Sequence, residues 1–139
     1  MKEYPIEYRL RVNKTFNETF RVAYDLLASV YAHERPGDNL PYLAVRNAQE
    51  AFNVPTGKVE SNLGDFTHKV WRRWHQVNNR ESSVDLQAPS NCLMYGIWHL
   101  LMGVEKYNFG KLEDAQWFAD KAEITLKDIE ARCLMSAAR

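Results

Sequence analysis

Asp65, His68, Arg72 and His75 recur at steps of three, four and three, which places an acid and two imidazoles on one stripe of a helix. Those side-chain types suggest a divalent metal site. The spacing argues against it. His68 and His75 are two helical turns apart, about 10 Å, and the Arg72 guanidinium between them repels a cation. The expectation is a polar stripe that meets solvent or a partner, with no metal and no cofactor. The same stretch holds Lys69, Trp71, Arg72, Arg73 and His75 with no acid between His68 and Arg80. Tryptophan and arginine are the residue types that dominate protein interface hot spots. These five side chains are the candidate protein-binding set, and Trp117 is a second tryptophan whose helical phase leaves it partly outside.

Covalent chemistry finds little support. Nucleophilic catalysis needs a serine or cysteine beside a base, and the chain has neither a Gly-x-Ser-x-Gly elbow nor a glycine-rich phosphate loop. No catalytic residue is proposed, and the chain is not expected to be an enzyme. Cys92 and Cys133 sit about 10 Å out of register if the last two helices form a hairpin turning near Phe109, so they read as two small buried thiols. His99 reads as a hydrogen-bonded core histidine. His33, beside Glu34 at a helix end, reads as a favourable C-terminal cation.

Residues 46–63, RNAQEAFNVPTGKVESNL, resemble the helix-turn-helix of bacterial regulators. Ala48, Ala51 and Phe52 form the inward face of the first helix, Asn53-Val54-Pro55 the turn, and Val59 and Leu63 the inward face of the second. That resemblance implies DNA reading through Thr56, Lys58, Ser61 and Asn62 in a major groove, with Lys69, Arg72 and Arg73 near phosphates. The chain departs from the pattern at Asn53, where glycine is usual, at Gly57 inside the second helix, and at the acidic Glu60. Further along, Gly103, Gly110, Leu112, Ala115, Ala119 and Ala122 have a spacing similar to the small residues of a tetratricopeptide-type hairpin, which implies close antiparallel helices. The last helix, DAQWFADKAEITLKDIE, resembles that of HEPN-type ribonucleases, whose Arg-x(4–6)-His motif is absent here. The clustered acids of helical nucleotide pyrophosphohydrolases are missing as well.

The elements that must position these residues centre on residues 90–107, SNCLMYGIWHLLMGVEKY. Between Cys92 and Val104 only His99 is neither apolar nor glycine, and a helix apolar all round has to be surrounded. Before it, Phe16, Phe20, Ala23, Tyr24, Leu27, Val30 and Tyr31 mark an amphipathic helix, and Thr15-x-x-Glu18 has the capping-box form that starts it at Phe16. Pro36-Gly37-Asp38-Asn39 ends it and caps a short helix over 42–53, with Pro41 in the first turn. A third helix spans 57–78 with a break near Gly64-Asp65. Residues 79–90 form a polar loop, and 91–135 a helical hairpin that turns at Asn108-Phe109-Gly110.

Residues 4–12 alternate apolar and polar, a half-buried strand pattern. Its expected partner is the 83–87 segment, or another chain, with an extended arm over the helices as the other reading. The expected fold is therefore all-α: a single compact domain, 1–139, of about five helices around a buried central one, with a minor N-terminal strand pair and an arm over 1–14. Equal numbers of basic and acidic residues, 18 each, give no global charge for nucleic acid to follow. The N-terminus has no apolar signal segment and the longest apolar run is too short to span a bilayer. The expected location is the cytoplasm, and the expected partner is another protein or a second copy of the chain, with DNA as the alternative.

Overall fold

The computed structural model describes residues 4–54, 57–80 and 89–137. Within them the fold is all-α, five helices and no strand. α1, Ile6–Leu26, continues through a π turn at Leu27–Tyr31 into a final turn at Ala32–Glu34; α2 is Leu40–Asn53, α3 Gly57–Arg80, α4 Pro89–Asn108 and α5 Leu112–Ala137. Among the described residues no helix is long and apolar enough to cross a membrane.

The strand expected over 4–12, or the extended arm over 1–14, is helical from Ile6 onward. Alternate positions in a strand include every fourth position of a helix, so Tyr4, Tyr8 and Val12 satisfy both patterns. The deciding residues are Ile6 and Leu10, the other half of the alternation, which remain 68% and 61% exposed. The stripe that is buried runs Tyr8, Val12, Phe16, Phe20, and Tyr8 donates a 3.4 Å hydrogen bond to the Leu112 carbonyl at the start of α5. The capping box is likewise overruled, because Thr15 lies mid-helix and its hydroxyl donates to the Arg11 carbonyl at 3.0 Å. The proposed pairing segment, 83–87, lies outside the described residues. α3 also runs unbroken through Gly64 and Asp65, since Gly64 is not among the positive-φ glycines.

Two turns follow the sequence closely. Gly37, at φ 85°, ends the first helical unit, and Asp38 Oδ1 accepts the Leu40 amide at 3.2 Å to open α2 with Pro41 in its first turn. Gly110, at φ 77°, closes α4 with paired bonds, Gly110 N to the Tyr107 carbonyl at 3.0 Å and Lys111 N to the Lys106 carbonyl at 2.9 Å. Only glycine takes this left-handed cap without steric cost.

α4 touches all four other helices, and its buried residues run from Ser90 to Val104. Its closest neighbour is α5, which faces it with the fully buried Ala115, Ala119, Ala122, Leu126 and Ile129. Gly96 and Gly103, two turns apart on α4, make this approach possible. A Cβ at Gly96 would lie 2.7 Å from Leu126 Cδ2, and one at Gly103 would lie 3.1 Å from Phe16 Cε1 and 3.2 Å from Phe118 Cβ. The small-residue spacing thus marks a close helix pair. On the far side, Phe52 joins Phe16 and Tyr107 at ring distances of 4.9 and 4.8 Å, tying α1, α2 and α4 together.

Overpacking at such a seam costs more than helix propensity returns. Gly96→Val is expected to lower stability in denaturant melts by about 2 kcal/mol or more. Gly64→Ala, whose Cβ would meet nothing nearer than 3.9 Å, is expected to raise stability by about 0.5–1 kcal/mol. Equal effects at the two glycines would contradict the seam.

Candidate functional site

All four tryptophans of the chain belong to one connected array of rings. On α3, Trp71 stacks on Trp74 at 5.5 Å and meets the His75 imidazole edge-on at 4.3 Å. Trp71 then reaches Trp98 on α4 at 4.7 Å, and Trp74 reaches Tyr95 at 5.4 Å. Tyr95 and Trp98 both abut His99, at 4.5 and 5.0 Å. His99 in turn lies 6.3 Å from Trp117 and 6.0 Å from Phe118 on α5. Helical spacing explains the alignment, because 71, 74 and 75 share one face of α3 and 95, 98 and 99 share one face of α4.

Beside the array, α3 and α5 flank α4 to leave a groove of about 570 Å³, lined by Trp74, Cys92, Tyr95, Ile124, Thr125, Asp128 and Arg132. Its apolar wall carries a few polar groups at one end. Asp128 and Arg132 form an ion pair at 3.3 Å, and the Arg132 guanidinium hydrogen-bonds to Cys92, which raises its pKa further. Cys92 and Cys133 are both only half-buried, so the expected pair of buried thiols is corrected at both positions. The cause is geometric: both lie at the open end of the α4–α5 pair, past the glycine seam that brings the helices together.

The proposed binding residues separate. Trp71 and His75 lie in the ring array, half-buried. Arg72 and Lys69 are exposed, the Lys69 ammonium 5.6 Å from the centre of the Phe66 ring. Arg73 turns away and pairs with Asp38 Oδ2, which also accepts from the Tyr31 hydroxyl at 2.5 Å. That junction continues through Arg35 to Asn91 at 3.3 Å and from Ser90 to Glu34 at 3.0 Å. It ties the end of α1 to α3 and the start of α4, and burial, then the Asp38 bond, pushes the Tyr31 pKa well above its usual value. Arg73 is thus engaged within the fold.

Of the candidate DNA-reading residues, Thr56 lies outside the described residues, and Lys58 and Ser61 fall in the first turns of α3 without described side chains. Asn62 is exposed. α2 and α3 do pack together, with Ala48, Ala51, Phe52 and Leu63 inward, as the helix-turn-helix resemblance implies for its helix pair. Among the described residues no three histidine, cysteine, aspartate or glutamate side chains cluster to hold a metal ion.

No protein-family model, no curated protein and no solved structure matches this chain.

Sequence reasoning missed Trp74, Tyr95 and Trp98 as site residues because each lies within an apolar arc that reads as core. The signal that could have found them was the tryptophan spacing, three residues apart at 71 and 74, opposite an all-apolar helix. His99 is the core histidine its place in the apolar run implies: it is 4% exposed, with Nδ1 2.9 Å from the Tyr95 carbonyl. A carbonyl only accepts, so Nδ1 carries the proton. Burial lowers the His99 pKa against the opposing effect of the Tyr95 bond.

The unfolded chain therefore binds a proton at His99 more readily than the folded one. The stability this neutral imidazole contributes is present above its ordinary pKa near 6.5 and is lost as pH falls below it. His99→Gln is expected to flatten the fall in melting temperature between about pH 7.5 and 5. Glu105, whose pKa burial raises, acts with the opposite sign and cancels in the comparison. Identical pH slopes in the two proteins would contradict this placement.

Proposed function

We propose that this domain acts by binding protein, with the groove between α3 and α5 and the aromatic floor of α4 as its binding face. The observation that carries the reading is the gathering of all four tryptophans into one array beside a groove that stays open. Folding alone asks for tryptophans to be covered. Here Trp117 is 58% exposed and Ile124 stands 68% exposed on the groove wall. Large, rigid aromatic side chains around a cleft offer contact area at low entropic cost, and arginine beside them supplies a polar anchor. Lys69 and Arg72 add exposed basic side chains elsewhere on α3.

The occupant that suits such a groove is an apolar face of a partner, whose anchors recur at three- and four-residue steps if it is helical. Peptides selected from a random library on the wild-type protein are expected to carry such anchors and to shift its tryptophan emission. Ile124→Arg, at an exposed position, is expected to weaken them at least about tenfold without changing the melting temperature. Selected peptides that bind this variant equally well would place the binding face elsewhere.

The packed α2–α3 pair supports the alternative of duplex DNA reading through Thr56, Lys58, Ser61 and Asn62. The two readings separate cleanly by fluorescence anisotropy. On the protein-binding reading, mixed duplex DNA gives no binding at about 50 mM salt, whereas phosphate contacts would give binding that falls steeply towards about 200 mM.

A further inference from the structure

We infer that the occupant of this face is a second copy of the chain, docked antiparallel along α5. The inference rests on the protein-binding reading and names its partner.

On α5, Trp117, Lys121, Ile124, Asp128 and Arg132 recur at steps of four, three, four and four, and all five are exposed. They make one continuous stripe about 22 Å long. Trp117 and Ile124 are the exposed large apolar side chains of α5 among the described residues. A closed pair of identical subunits requires a surface that complements itself under a two-fold rotation. In an antiparallel helix pair, residues on the same flank of the seam meet at mirrored heights. With the axis at the level of Ile124 and Thr125, Ile124 packs across the centre. Lys121 then stands level with Asp128 of the other copy, and Asp128 with Lys121. The outermost pairing sets Trp117 against Arg132, a cation over an indole face. Each pairing is favourable and each occurs twice.

The opposite, parallel arrangement aligns Lys121 with Lys121 and Asp128 with Asp128, so charge selects the antiparallel one. The stripe also forms one wall of the groove, since Ile124, Asp128 and Arg132 line it. Docking α5 on α5 therefore covers the exposed apolar side chains and closes the groove from that side.

The test is sedimentation equilibrium of the full chain from about 1 to about 500 μM. Wild type is expected to dimerise. Lys121→Glu and Asp128→Lys each place like charges opposite one another and are expected to weaken the dimer at least about tenfold. The double variant Lys121→Glu with Asp128→Lys restores opposite charges and is expected to return to within about threefold of wild type. Both positions of this cycle are solvent-exposed, so melting temperatures serve as the check on folding. A dimer indifferent to the single changes, or not restored by the double one, overturns the inference. So does a wild-type monomer throughout the range. If that monomer still binds selected peptides through Ile124, the partner is another protein and the protein-binding reading stands. If it binds none, both fall.

Discussion

The close approach of α4 and α5 at Gly96 and Gly103 is the constraint on which the rest of the molecule depends. Without a Cβ at these positions the two backbones come near enough for Leu126 and Phe118 to fill the space, and Phe16 of α1 reaches in from the other side. The alanines opposite, Ala115, Ala119 and Ala122, are fully buried for the same reason. Large side chains excluded from this seam have to go elsewhere on α4. Tyr95 and Trp98 turn towards α3, where Trp74 and Trp71 meet them, and His99 faces Trp117 and Phe118 of α5.

The aromatic array is therefore a consequence of the packing as well as a candidate surface. α4 is flanked by α3 on one side and α5 on the other, and the rings bridge both boundaries. They stop short of filling the end near Cys92 and Arg132, which leaves the groove. The junction of Tyr31, Asp38 and Arg73 holds α3 from behind, so the orientation of Trp71 and Trp74 is supported by a half-buried polar contact on the opposite flank of the same helix. A π turn at Leu27–Tyr31 delivers Tyr31 to that contact. Rigid placement of the rings is what a binding face requires, because side chains already ordered lose little entropy on association.

Much of this was legible in the sequence. The all-apolar run around His99 identified the central helix, and the glycine and alanine spacing announced a close hairpin. Gly37 and Gly110 marked turns that demand positive φ. The N-terminal region was illegible because Tyr4, Tyr8 and Val12 fit a strand and a helix equally. Only the partner surface on α5 decides between them, through contacts a hundred residues away such as Tyr8 to Leu112. The site was half legible for a related reason. Trp71 and Trp117 stood out by their phase, whereas Trp74, Tyr95 and Trp98 had every local feature of core residues. Arg73 looked free beside Arg72, and its engagement with Asp38 depends on a long-range approach that local spacing does not encode.

The most direct measurement is the indole N–H spectrum of the four tryptophans as ¹⁵N-labelled protein is diluted from about 500 to about 10 μM. Binding of a second copy along α5 predicts that the Trp117 resonance moves most, with smaller shifts at Trp74 and Trp98 through the shared ring array, while backbone amides of the α1 N-terminal turns remain still. Indole signals that do not move with concentration, or shifts concentrated around Ile6 and Leu10, would contradict it.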